Sequence, residues 1–200
     1  MKQIYFDTET SGLEPGQIGQ LAMIILNDDQ SIKAKNYFFD IDSVEEGAAK
    51  VTGRDAEFYH KASGGKRFDD YASEIYNEME GAMLIAHNIK FDVKFLTAEF
   101  FRCNAIFTPT QQFDTMTYFK PIVKAQIYGK IKNPKLEELV RYMNIDTNKV
   151  ARFTSRLFGI DAEAYHDAMY DTTSMFVAVE VYNDKLHGSK QWADVFCKNN

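Results

Sequence analysis

Residues 2–9, 18–26 and 33–39 each carry the alternation and the Ile, Tyr and Phe content of a β-strand, and the links between them are short. Asn27-Asp28-Asp29-Gln30 reads as a turn. Strands so close in sequence pair antiparallel, because a parallel pair needs a crossover of about a dozen residues or more. The first 40 residues therefore predict a three-strand meander. The pattern then changes. Residues 44–53 and 68–80 read as helices, and Met83-Leu84-Ile85-Ala86 is a short, wholly apolar strand of the kind buried on both faces. Residues 89–102 form a strongly apolar helix. A last strand ends near Phe113-Asp114, and helices continue to about residue 186. A meander followed by alternating helix and strand implies an α/β chain: a mixed sheet with helices on its faces.

The 200 residues are 45% hydrophobic and 14% aromatic, enough for a real core and against disorder. The length suits one domain over residues 1–186, with 187–200 as a short tail or docking helix carrying Trp192, Val195 and Phe196. No apolar run approaches the roughly 20 residues of a membrane span. After Met1-Lys2-Gln3 the chain enters a strand directly, without a signal peptide. Cys103 and Cys197 have no neighbour at metal-motif spacing. A reduced, cytoplasmic setting is the expectation. The formal net charge is −6, which weighs mildly against a nucleic-acid binder. Its distribution weighs the other way. From Lys120 to Arg156 nine basic residues face three acidic ones, so this stretch is +6 and the remainder −12. A basic segment beside an acidic site suits a polyanion, and equally an ordinary solvated helical surface.

Four carboxylates stand on apolar elements. Asp7 and Glu9, in Ile4-Tyr5-Phe6-Asp7-Thr8-Glu9, are two apart on a strand and leave the same face. Paired acids repel, and a divalent cation relieves that. Asp92 lies in His87-Asn88-Ile89-Lys90-Phe91-Asp92. Asn88 is a good N-cap, which places Asp92 in the early turns of a helix where the dipole favours an acid. Its apolar neighbours Phe91, Val93, Phe95 and Leu96 mean that this acid wants a partner. Asp171 sits on a helix face that otherwise reads Ala168, Met175, Ala178 and Tyr182, so it too is paired or a ligand. His166, five residues earlier, is about 140° away on an ideal helix. It belongs in the loop entering that helix, with Asp171 one turn in.

Taken in order, these motifs resemble the DEDD 3′–5′ exonucleases of the DnaQ-like group. Asp7-x-Glu9 is similar to the first family motif, His87-Asn88-x-x-Phe91-Asp92 to the second, and His166-x-Ala168-x-x-Asp171 to the third. The likeness runs from about residue 2 to 186. A histidine five before the last aspartate marks the DEDDh subgroup; the tyrosine of the other subgroup stands four before, where this chain has Asp167. The resemblance implies a ribonuclease-H-like mixed five-stranded sheet flanked by helices. It implies two divalent cations, Mg²⁺ or Mn²⁺, held by Asp7, Glu9, Asp92 and Asp171. His166 would be the base that deprotonates water, its ordinary pKa of about 6.5 being near working pH. Thr10, Leu13, His87, Asn88 and Phe91 would lie along the terminal nucleotides.

The activity so implied is removal of nucleoside 5′-monophosphates from single-stranded 3′ ends, DNA slightly ahead of RNA. An RNA-trimming enzyme, and a non-catalytic nucleic-acid-binding or polymerase accessory module on the same fold, are the alternatives. A polymerase or other replication protein would be the partner of a proofreading subunit. Two stretches depart from the family pattern. Gly47 and Thr52 stand where several relatives carry Glu and His. The segment between Ile145 and His166 is longer, with Lys149, Arg152 and Arg156 placed to grip a strand.

Overall fold

The computed structural model describes residues 1–160 and 168–198. β1 (Gln3–Thr10) and β2 (Ile18–Leu26) pair antiparallel along their whole length, from Gln3 opposite Leu26 to Glu9 opposite Gln20. β3 (Ile32–Phe38) returns along the far edge of β2 after a turn in which Gln30 takes φ 65°. Every residue of β2 from Ile18 to Ile25 is buried, as befits a strand covered on both faces. β4 (Met83–Ala86) lies parallel to β1, and β5 (Gln112–Asp114) parallel to β4. The sheet order is β3-β2-β1-β4-β5. This is the mixed sheet that the sequence pattern implies, with the five strands that the family resemblance implies.

The two-residue period of β1 divides the core. Ile4 and Phe6 join Leu21, Met23 and Leu84 beneath α3 (Ala72–Met79) and α4 (Ile89–Arg102). Tyr5 points the other way, with Ile24, into a second core built by α5 (Thr115–Val123), α6 (Leu136–Tyr142), α7 (Thr147–Phe158) and α8 (Ala168–His187). Its ring meets that of Phe176 edge-on at 5.0 Å. α9 (Gln191–Phe196) closes this second core. Phe196 is buried and stacks on Trp192, which meets Phe176, whereas Val195 stays exposed. Asp184 holds α9 by accepting from the N–H groups of Trp192 at 2.6 Å and Ala193 at 2.8 Å and from the Ser189 hydroxyl.

One asymmetry of the sheet positions the candidate site. β4 pairs with β1 only at Gln3, Ile4 and Tyr5. β1 runs on to Thr10, so among the described residues no strand covers its β4-side edge from Phe6 onward.

Several elements differ from the sequence expectation. α1 (Glu46–Thr52) is shorter than the 44–53 reading, and α2 (Ala56–Ser63), a mostly polar helix, was not expected. The expected helix over 68–80 divides at Tyr71 into a 3₁₀ turn (Phe68–Asp70) and α3. A small hairpin, β6 (Gln126–Ile127) and β7 (Lys130–Ile131), interrupts the helical region. Asn88 is not a side-chain N-cap: it sits in the left-handed region at φ 73°, which Asn tolerates, and makes no capping bond. Among the described residues no helix is long and apolar enough to cross a membrane.

Candidate active site

The carboxyl ends of β1, β4 and β5 come together at one end of the sheet, where ligands of open α/β sheets bind. Asp7 and Glu9 are half-buried on the Tyr5 face of β1. Opposite Asp7 in the register stands Ala22. Ala168 and Met169, the first two residues of α8, pack on this small side chain, and the Thr172 hydroxyl donates to the Ala22 carbonyl. The start of α8 is thereby brought against the face that carries Asp7, with Asp171 half-buried one turn in. Glu9 also sends its charge toward Tyr59 of α2, whose hydroxyl burial pushes up to about 12, with Glu9 adding and Arg54 opposing.

Asp92 reaches the same strand from the other side. It is 3% exposed on α4, and its Oδ1 accepts from the Thr8 hydroxyl at 2.8 Å and the Thr8 N–H at 3.2 Å. That N–H lies on the stretch of β1 edge that no strand covers. The carboxylate of α4 thus takes the place of a strand partner between Asp7 and Glu9. Burial pushes the Asp92 carboxyl up to about 7 despite these bonds, and the charge of Asp114 adds to the effect.

Asp114, at the end of β5, organises the floor. Its Oδ1 accepts from the Asn88 N–H and from Met116, and its Oδ2 from the Thr117 hydroxyl. It caps α5 and fixes the left-handed turn that opens α4. Sequence reading gave Asp114 only as a strand end; an Asp before a helical run was the available signal. The His87 ring is committed inside the chain. Nδ1 lies 2.9 Å from the Thr115 hydroxyl, and Nε2 donates to the Pro134 carbonyl at 2.9 Å. Burial lowers its pKa.

The remaining residues line the mouth. Thr10 is buried, its hydroxyl donating to the Gly12 carbonyl. A Cβ at Gly12 would lie 2.2 Å from the Glu45 carboxyl carbon, so any larger residue there would make the exposed Glu45 side chain swing away. Leu13 is 76% exposed at the loop tip, and Lys94 donates to its carbonyl. Asn88 is exposed and Phe91 half-buried against Phe95. His166 lies outside the described residues.

The sequence profile of the RNase T exonucleases matches residues 4–182, nearly the whole chain. The chain belongs to this family of DEDD-type 3′–5′ exonucleases. The 3′–5′ exonuclease DinG of Staphylococcus saprophyticus is 28% identical over 111 residues, 52% of this chain and 12% of that protein. Its counterpart in Staphylococcus haemolyticus is 32% identical over 85 residues, 42% of this chain and 9% of that protein. Two solved structures of Escherichia coli exonuclease I share the fold. One, a zinc-bound complex with single-stranded DNA, superposes with a TM-score of 0.65 at 16% identity, over 96% of this chain and 42% of that one. The other, bound to a dA13 oligonucleotide, gives 0.67 at 16% identity, over 91% and 40%. The family member described here thus spans about a tenth of the DinG proteins and two-fifths of exonuclease I. The architecture is ribonuclease-H-like.

The donor chemistry suits a hard divalent cation. Asp7, Glu9, Asp92 and Asp171 offer carboxylate oxygens, the ligands that Mg²⁺ and Mn²⁺ prefer. A carboxylate as deeply buried as Asp92 is stabilised by a nearby positive charge. Among the described residues, no three His, Cys, Asp or Glu side chains stand together as a finished ion cage.

Proposed function

We propose that this chain hydrolyses the terminal phosphodiester of single strands and releases nucleoside 5′-monophosphates one at a time from the 3′ end, with DNA slightly favoured over RNA. The observation that carries the reading is the exonuclease family profile running through β1, α4 and α8, the three elements that bear the carboxylates. Asp7, Glu9, Asp92 and Asp171 would hold two divalent cations, Mg²⁺ or Mn²⁺. When bound, such ions lower the pKa of water and offset charge on the attacking and leaving oxygens. His166 takes the proton from the attacking water. Thr8 holds Asp92 in place through its hydroxyl and N–H.

Around this centre, the Thr10 backbone meets the terminal 3′-hydroxyl, Leu13 wedges against the last bases, and Asn88 and Phe91 line the nucleotide pocket. His87 shapes the pocket wall, since both of its nitrogens are engaged by Thr115 and Pro134. Residues 1–186 form the exonuclease unit in this reading, with 187–200 as a short tail whose helix α9 docks on it. The setting is cytoplasmic. The DNA preference leans on exonuclease I having been solved with DNA oligonucleotides.

The test uses 5′-labelled single strands, DNA and RNA side by side, with Mg²⁺ or EDTA. Stepwise shortening from the 3′ end is expected, lost in EDTA and reduced at least about 100-fold by Asp7→Ala and by His166→Ala. Shortening that persists in EDTA, or in either variant, overturns the mechanism.

A further inference from the structure

The β6–β7 hairpin has no task in the catalytic reading. Among the described residues each strand pairs only with the other, apart from the main sheet. Gln126 stands opposite Ile131 and Ile127 opposite Lys130, leaving Tyr128 and Gly129 as a two-residue turn. Both have positive φ, 48° and 74°, the pattern of a type I′ turn. Asn, Asp or Gly is favoured at the first of these positions, and a bulky aromatic residue there is rare. The Tyr128 ring is nevertheless held in that conformation and is 97% exposed. Ile127 at 52% and Ile131 at 53% flank it. Three large apolar side chains within five residues thus face solvent on an element that adds nothing to either core.

The charge around them has one sign. From Thr115 to Leu136 there are five lysines (Lys120, Lys124, Lys130, Lys132 and Lys135) and no acid, in a chain of net charge −6. Lys132 pairs with Glu138 and Lys135 with Glu137, whereas Lys120, Lys124 and Lys130 make no ion pair among the described residues. The hairpin also adjoins the candidate site. Pro134, shortly after β7, accepts the hydrogen bond of His87, the residue next to Asn88 at the mouth.

We propose that this hairpin is a strand-holding arm: Tyr128 stacks a base of the single strand upstream of the 3′ end, and Lys124 and Lys130 neutralise its phosphates. A protruding aromatic ring among unpaired lysines is the combination that binds single strands without sequence preference. The inference rests on the reading of the site as a 3′-end hydrolase, because that reading supplies the strand.

Tyr128→Asn separates stacking from folding, since Asn suits the turn better than Tyr. Binding of a 5′-fluorescein 20-mer of thymidylate, followed by anisotropy in EDTA, should weaken about tenfold in Tyr128→Asn and stay near wild type in Tyr128→Phe. Hydrolysis of a thymidine dinucleotide in Mg²⁺, which has no strand upstream of its two bases for the arm to hold, should be unchanged. Lys124→Glu combined with Lys130→Glu should lower the slope of log Kd against log salt by about 1.4. Unchanged 20-mer binding in Tyr128→Asn overturns the arm, as does a wild-type protein that does not bind the 20-mer. An equal loss on the dinucleotide also overturns it. A protein that binds the 20-mer through Tyr128 yet cuts neither substrate leaves the arm standing and removes the hydrolase reading.

Discussion

Thr8 and Asp92 show how much one hydrogen-bonded pair can fix. A buried carboxylate whose folded pKa is about 7 takes up a proton on folding, so the free energy of unfolding falls as pH rises from about 4 to about 7. In Asp92→Asn the amide oxygen can still accept from Thr8, and no charge is buried. The variant should therefore gain stability over wild type across that window, by on the order of a few kcal/mol at pH 7 and above. Urea unfolding in EDTA, repeated from pH 4 to 8, checks this, and a difference that does not grow with pH refutes it. Nuclease activity should fall in the same protein. At this scale the sequence was informative about acids and silent about their supports. Asp7, Glu9 and Asp92 stand out because acids are unusual among Ile, Tyr and Phe. Thr8 does not, because threonine is an ordinary strand residue. Asp114 was hidden by the ordinariness of Asp before a helix.

Elements were legible where burial alone decides them. The wholly apolar Met83–Ala86 and the apolar stretch 89–102 have the observed ends of β4 and α4. α2 was missed because its sequence, Ala-Glu-Phe-Tyr-His-Lys-Ala-Ser, carries little periodicity, and only Tyr59 is buried. The hairpin was missed because Tyr-Gly is not a usual I′ turn pair. The start of α9 is tied to α8 by one carboxylate, beside the ring contacts of Trp192 and Phe196. Burial raises the Asp184 pKa, but hydrogen bonds from Ser189, Ala193 and Trp192 outweigh it and hold the net value below the usual carboxylate range. A depressed folded pKa means that this contribution is present above about pH 4 and is lost as pH falls through the folded value. Trp192 is the sole tryptophan, so its fluorescence reports α9 directly. Emission should shift to the red on acidification below about pH 4. Asp184→Ala should give the shifted spectrum already at pH 7 and cost about 1–3 kcal/mol. A wild-type spectrum for that variant at neutral pH would show that α9 is held by its ring contacts and by the hydrogen bonds at its far end without Asp184.

At the scale of the whole molecule one stretch stands out by its charge, the run from Thr115 to Leu136 with five lysines and no acid. The carboxylates gather at the carboxyl ends of the parallel strands, and the lysine-rich surface begins immediately after β5. The sheet was legible in outline because antiparallel meander and parallel crossover leave different spacings in sequence. Where β1 outruns β4 was not, since strand lengths set against each other are a tertiary fact. That overhang has a consequence for solubility. An uncovered strand edge is a template for pairing with another copy of the chain. Asp92 blunts it by occupying the Thr8 N–H with a side chain rather than a backbone. Asp92→Ala, the obvious inactive control, should therefore self-associate at concentrations where Asp7→Ala stays monomeric, as light scattering would reveal. The residue that a chemist would delete first is also the stopper that keeps one molecule's sheet from growing into the next.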